Sequence, residues 1–284
     1  MATFFNRATL TYNGGVANSN TVSGEILGVV TATKTATPST YGQGDTITYV
    51  VNLFNSSASA VSGLSISDDL GSYTSGGLTL VPLDYVDGSV RYFADGVLEP
   101  TPTPDSTSPL VISGISIPAN GSATIVYQVI ANSYAPLGVG SSITNTVTVS
   151  GGGIVEPVTA IATITAADGA ELSITKSVSP TTVSESGLLT YTFVISNNGN
   201  TPAEATDNVV VTDSFDPILS GLSASLDGTP LVLGTDYTYN QGTGLFSTTA
   251  GRITVPAATY SQDPVTGVIT VTPGTATLVV SGTV

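Results

Sequence analysis

The chain contains no cysteine, no histidine and no tryptophan among its 284 residues. Without cysteine there are no disulfides, no thiolate metal sites and no thiol nucleophile, although secretion remains compatible with that composition. Without histidine the usual nucleophile–base pairs are missing; carboxylate pairs remain chemically available, but none stands out by its spacing. Charge is scarce and one-sided: 9% of residues are charged, with 5 Lys and Arg against 20 Asp and Glu, a net charge of −15. That balance disfavours nucleic acid and anionic membranes as partners. No apolar run is long enough to span a bilayer, and no stretch carries a convincing 3.6-residue period. The opening MATFFNRATL lacks the basic start, apolar core and small-residue cleavage site of a secretory signal. The expectation is a mature chain, or one released by another route such as lysis of a spore's mother cell.

What is present is 31 Gly, 16 Pro and a great deal of Thr, Ser and Val. Thr/Val alternation interrupted by Gly, Pro, Asn and Asp every few residues predicts an all-β protein, and the length suits two tandem immunoglobulin-like β-sandwiches. An internal repeat supports this. TATKTATPSTYGQGDTITYVVNLFN aligns with SITKSVSPTTVSESGLLTYTFVISN, so that Lys34 matches Lys176, Pro38 matches Pro180, Tyr49 matches Tyr191 and Asn55 matches Asn197. LSISDDL matches VVVTDSF. Each repeat then carries an Asp-Gly pair, at Asp95-Gly96 and Asp227-Gly228, which is a strong hairpin signal. SIPANGSATIVYQVIA finally matches VTVTPGTATLVVSGTV.

The segment 143–164, ITNTVTVSGGGIVEPVTAIATI, follows the first repeat and has no counterpart after the second. Its likeness lies at the front of the chain, in residues 4–26: an alternating strand with an Asn (Asn6, against Asn145), a glycine turn, and a second short strand. These motifs, in this order and repeated twice, resemble the "conserved repeat" immunoglobulin-like family of bacterial and archaeal surface proteins, domain of unknown function eleven. The resemblance covers almost the whole chain. It implies tandem β-sandwiches in surface stalks and appendages, and it does not imply an enzyme.

The expected division is an N-terminal donor-strand extension at 1–28, a first sandwich at 29–166 and a second, C-terminally incomplete sandwich at 167–284. A sandwich short of its closing strands exposes an edge and a groove, which a strand from another chain can fill. Phe4, Asn6, Ala8, Leu10 and Tyr12 share one parity and would point into such an acceptor, with Val22 and Ile26 added from the second strand. Insertion into the next subunit rather than into the same chain generates an open, head-to-tail filament.

The only two lysines, Lys34 and Lys176, occupy equivalent positions. Strand parity turns both inward, Lys34 with Val30 and Ala32, Lys176 with Leu172 and Ile174. By the same argument Asp68 faces in with Leu64 and Ile66, Asp213 with Val209 and Val211, Asn145 with Ile143 and Val147, and Asn6 with Phe4 and Ala8. A buried lysine sheds its proton readily, and a buried neutral carboxyl polarises a carboxamide. Lys, Asp and Asn together are the ingredients of an autocatalytic isopeptide bond, as in domains of Gram-positive pili. The candidate bonds are Lys34–Asn145 with Asp68 assisting, and Lys176 to Asn6 of a neighbouring subunit with Asp213 assisting. The competing reading is a hydrogen-bonded buried cluster without chemistry.

Weaker signals remain. Asp84, Asp87 and Asp95, with Asp213 and Asp216, suit solvated turns better than calcium, because no DxDxDG loop is present. Asn55 and Asn120 fit the short glycosylation sequon. Tyr73, Tyr85 and Tyr92 suggest either a sugar-binding surface or cross-strand pairs. No residue set calls for a cofactor or metal. The expectation is thus a self-associating structural subunit of an extracellular or spore-surface filament, and not an enzyme. The alternative is a pair of stalk repeats from a larger adhesin.

Overall fold

The computed structural model describes residues 2–284. Among the described residues the chain is all-β apart from one short 3-10 turn at Ala205–Asp207, and the ladders between its long strands are antiparallel. It divides into two compact units, one reaching to residue 136 and including 142–165, the other formed by 137–141 with 166–284.

In the first unit, strict alternation builds two facing sheets. Thr46–Asn55 buries Ile47, Tyr49, Val51 and Leu53 while its other face stays more open. It pairs with Val30–Thr37 on one side and Ser122–Ala131 on the other, and Arg91–Ala94 and Val97–Leu98 extend this sheet. The facing sheet runs Ser106–Thr107, Leu110–Ile117, Val61–Asp68, Ser142–Gly151, Val158–Ala166 and Thr40–Tyr41. Leu64, Ile66, Ile112, Ile115, Val147 and Val149 fill the layer between, all essentially inaccessible to water. Because side chains on a strand alternate with period two, Asp68 and Asn145 must lie on the same inward faces as these residues.

The Asp-Gly hairpins form as the sequence requires. Asp95 and Gly96 have φ of 46° and 79°, and Asp227 and Gly228 have 48° and 79°. Both central residues are thus left-handed, the geometry whose twist matches that of the flanking strands.

In the second unit the principal sheet runs Leu172–Ser179, Leu188–Asn197, Gly274–Thr283, Ser220–Leu226 and Thr229–Pro230. Its partner has three short strands, Thr212–Ser214, Leu245–Thr248 and Tyr237–Asn240. Leu189, Tyr191, Phe193, Phe215, Phe246 and Leu278 belong to its core. Here Leu172–Ser179 is exposed at every position, including Leu172, Ile174 and Val178. Among the described residues, Thr212–Ser214 pairs only with Leu245–Thr248. The equivalent Val61–Asp68 is paired on both sides, with Leu110–Ile117 and Ser142–Gly151.

The front of the chain is one long interrupted hairpin. Ala2–Asn6 pairs with Val22–Ile26, and Thr9–Tyr12 with Gly15–Asn18. At the interruption the Ser19 amide donates to the Ala8 carbonyl, and the Ala8 amide to Ser19 Oγ, both at 2.9 Å. Apart from the partly covered Gly15 and Gly24, residues 3–28 are exposed. The Phe4 ring lies over Gly24, where a Cβ would come within 2.5 Å of it.

Candidate functional site

The site of the first unit grows from the end of Val61–Asp68. Asp68 closes the strand, and Leu70 and Gly71 follow it at φ of 54° and 70°. A side chain at Gly71 would strike Ile143 Cγ2 at 2.3 Å, so the turn brings the backbone tight against the strand that carries Asn145. Asp69 fastens the two: its amide donates to the Thr146 carbonyl at 3.0 Å, and its Oδ1 accepts from the Thr146 amide at 2.9 Å. Asn145 and Val147, on either side of Thr146, consequently face inward, and both are fully buried.

Lys34 reaches across from the opposite sheet. Its Nζ lies 2.5 Å from Asp68 Oδ2, with neither side chain exposed. Tyr127 donates its hydroxyl to the same oxygen, and Asp68 Oδ1 accepts from the Leu70 amide at 3.0 Å. Lys34 Nζ also sits 4.6 Å from the centroid of the Tyr49 ring. Burial pushes the Lys34 ammonium down from its ordinary value of 10.5, and the charge and hydrogen bond of Asp68 oppose that push. Burial raises the Tyr49 and Tyr127 hydroxyls, with Asp68 adding to the rise in both cases.

Asn145 is the unusual member. Neither its Oδ1 nor its Nδ2 has a hydrogen-bond partner, and the Tyr49 hydroxyl is likewise buried and unpaired. The carboxamide nevertheless lies close enough to both tyrosine hydroxyls to moderate their upward shifts. These groups are neighbours without a hydrogen bond between them. A buried polar group without a partner costs about 1–3 kcal/mol, so a carboxamide with both ends unpaired is a place where the fold carries stored polar demand.

The second unit holds the same pair in a different state. Lys176 and Asp213 form an ion pair, but their side chains are 41% and 17% exposed. Lys176 Nζ lies 4.7 Å from the Tyr191 ring centroid, with Phe193 and Phe215 also beneath it. The expectation of a buried Lys176 is therefore not met within this chain: its strand has no cover, so parity turns it toward the core edge without enclosing it. Asn6 and the apolar residues expected beside it are exposed on the hairpin, Phe4 at 48%, Leu10 at 64% and Tyr12 at 60%, with Ala8, Val22 and Ile26 also exposed.

Other sequence signals resolve differently. Asn55 is not a surface sequon. It is fully buried, its Nδ2 donates to the Ser59 and Pro118 carbonyls, and its Oδ1 accepts from the Ser57 amide. Asn197 repeats the arrangement with the Thr201 and Pro256 carbonyls and the Gly199 amide. Both are backbone clamps, and the sequon pattern arose from a structural asparagine. Tyr73, Tyr85 and Tyr92 do not form an exposed platform: Tyr92 is buried with its hydroxyl on the Ser116 carbonyl, Tyr73 donates to the Tyr134 carbonyl, and the Tyr85 hydroxyl is buried. Asp95 accepts from the Ser122 amide and Asp84 from Asn132. Among the described residues no three metal-ligating side chains gather, and no helix is long and apolar enough to cross a membrane. Tyr49, Tyr127 and Asp69 were missed as members of the site. The inward parity of Tyr49 and Tyr127 was visible, but an aromatic at such a position reads as core.

No family model matches the chain, and no curated protein sequence matches it. The resemblance to the conserved-repeat family thus has no family match behind it. Solved structures do show similarity. The N-terminal domain of the Streptococcus gordonii adhesin Sgo0707 is 15% identical, with 47% of this chain and 32% of that chain covered and a TM-score of 0.36. The pilus backbone RrgB from Streptococcus pneumoniae is 14% identical over 86% of this chain and 55% of that one, at 0.32. A family 123 glycoside hydrolase from Clostridium perfringens is 10% identical over 48% and 27%, at 0.31. The chain therefore spans about a third of the first and a little over half of the second. At such scores these likenesses carry no argument about function.

Proposed function

We propose that this protein is a structural subunit of an extracellular or spore-surface filament, assembled head-to-tail by donor-strand complementation and locked by Lys–Asn isopeptide bonds. Residues 1–28 are the donor, 29–166 the self-sufficient first domain, and 167–284 the acceptor. The observation that carries this reading is the contrast between the two Lys–Asp pairs. In one unit the pair is sealed beside an inward Asn from the Ser142–Gly151 strand. In the other the same pair stands open beside an unpaired strand edge. The hairpin at 2–26 has the form of the missing cover: a long antiparallel pair with exposed Phe4, Leu10, Tyr12, Val22 and Ile26. Following the register Val147↔Asp68, the hairpin seats with Ala8 opposite Asp213 and Asn6 beside Lys176. Each large apolar side chain covered contributes about 1.5–3 kcal/mol, less the cost of ordering the hairpin.

The chemistry is autocatalytic rather than enzymatic. Burial lowers the Lys34 ammonium, the neutral lysine nitrogen attacks the asparagine carbonyl carbon, and ammonia leaves. The test is electron microscopy and a boiled denaturing gel of the wild-type chain, of a chain lacking residues 1–28, and of Lys176→Ala. The expected result is fibres and a multimer ladder with a Lys176–Asn6 linked peptide for wild type, no fibres for the deletion, and fibres that dissociate to monomer for Lys176→Ala. A soluble wild-type monomer, indifferent to the deletion, would establish the adhesin-stalk reading instead.

A further inference from the structure

The stacked tyrosines at the centre of the first unit are more than filler. Tyr49 and Tyr127 lie directly opposite each other on neighbouring strands, with ring centroids 5.7 Å apart and planes 25° from parallel. One hydroxyl is engaged and the other is not: Tyr127 donates to Asp68, while the Tyr49 hydroxyl is buried without a partner in the same pocket as the unpartnered carboxamide of Asn145. Native folds pair the great majority of their buried polar groups, and each exception asks for a reason.

Building on the cross-linking reading above, we propose that Tyr49 is a catalytic residue of the Lys34–Asn145 bond, its hydroxyl donating to the carboxamide oxygen as the tetrahedral centre forms, and that Tyr127 is a positioning residue acting through Asp68. In the resting carboxamide the oxygen makes no bond to this hydroxyl. When Nζ adds to Cγ, the oxygen becomes an anion and shifts out of the carboxamide plane. The Tyr49 hydroxyl is buried beside it, and a preorganised donor in a buried site is worth most at that moment. The steps balance. Lys34 gives one proton to Asp68, and the neutral Nζ attacks Cγ. Asp68 passes its proton to Nδ2 and takes one from Nζ. The Cγ–Nδ2 bond then breaks, releasing ammonia and leaving the amide and a protonated Asp68.

The second unit supplies an independent comparison. Tyr191 occupies the place of Tyr49, beneath Lys176 at 4.7 Å against 4.6 Å for Lys34 over Tyr49. Opposite it stands Val280 where the first unit has Tyr127. The repeat keeps the tyrosine assigned to the reacting oxygen and dispenses with the one that only holds the aspartate.

The experiment is a time course after cell-free synthesis of the full chain, sampled into denaturant and read by mass as the Lys34–Asn145 linked peptide. The variants are wild type, Tyr49→Phe, Tyr127→Phe and Asn145→Ala, the last as the unlinked control. Tyr49→Phe removes only an unpaired hydroxyl, so the fold is expected to persist, while cross-linking slows about 10²–10³-fold, the usual effect of losing an oxyanion donor. Tyr127→Phe slows it less and moves its pH profile, because it acts through Asp68. Cross-linking of Tyr49→Phe at the wild-type rate would overturn the assignment while leaving the bond itself established. Absence of the linked peptide from wild type would overturn both the bond and this inference. Should Tyr49→Phe fail to fold, 3-fluorotyrosine at position 49 keeps the ring and changes the hydroxyl's acidity. A changed rate then supports the assignment and an unchanged rate overturns it.

Discussion

At the scale of single residues, the chain uses its few charges where burial makes them decisive. Lys34 and Asp68 are sealed from water, and removing one partner of such a pair strands the other charge at a cost of about 3–5 kcal/mol. Asp68→Ala is therefore expected to lower the thermal stability of the first unit sharply and to abolish the proposed Lys34–Asn145 linked peptide, as read by calorimetry and mass mapping of one preparation. Asp236 offers a pH prediction. The hydrogen bond from the Val232 amide, aided by Arg252, holds its carboxyl below the ordinary value of 3.8. A depressed folded value means stability that is complete above the unfolded pKa and lost as pH falls through the folded one. Asp236→Asn should flatten the acid limb of the second unit's melting curve below about pH 4. An unchanged acid limb in that variant would place the titration elsewhere.

At the scale of strands and turns, the paired asparagines show how one residue can fix the end of an element. Asn197 accepts from the Glu171 and Gly199 amides and donates to the Thr201 and Pro256 carbonyls. Asn197→Ala removes four part-buried hydrogen bonds to backbone groups, each contributing about 0.5–1.5 kcal/mol. The measurable outcome is a lower denaturant midpoint for the second unit with the first unit unchanged. The hairpin makes the opposite kind of prediction, because its large apolar side chains are exposed. Leu10→Asp should leave the monomer's unfolding free energy within about 0.5 kcal/mol of wild type, as surface changes do, yet stop the proposed fibre growth in light scattering. If Leu10→Asp fibres grow at the normal rate, the hairpin does not enter an apolar groove.

At the scale of the whole molecule, the two units differ in how their corresponding strands are paired. The first unit pairs Val61–Asp68 on both edges. The second unit leaves exposed apolar side chains on Leu172–Ser179, and an unpaired edge of this kind invites a strand from another chain. Under the proposed donor-strand assembly, a synthetic peptide of residues 2–26, added in excess, should occupy the second unit and cap growing filaments. It should shorten fibres in proportion to its concentration and protect the amides of Leu172–Ser179 and Thr212–Ser214 from hydrogen exchange. Exchange unaffected by the peptide would show that the groove accepts something else.

Much of this was fixed by the order of residues alone. Strand parity has period two, so the inward faces of Val61–Asp68 and Ser142–Gly151 follow from Leu64, Ile66, Ile143 and Val147 by pattern alone. The Asp-Gly hairpins and the repeat itself are equally local, because turn chemistry and alternation act over a few residues. Three features were decided only by the folded chain. Asn55 and Asn197 became backbone clamps because carbonyls far away in sequence, at Pro118 and Pro256, arrive beside them. Lys34 was enclosed and Lys176 left open because enclosure depends on which strands cover a face, a property of the sheet and not of the strand. Tyr49 and Tyr127 joined the site because their hydroxyls reach the Lys–Asp–Asn cluster across the sandwich, whereas in sequence they are indistinguishable from aromatic core. Pattern determines which way a side chain points; packing determines what it meets there.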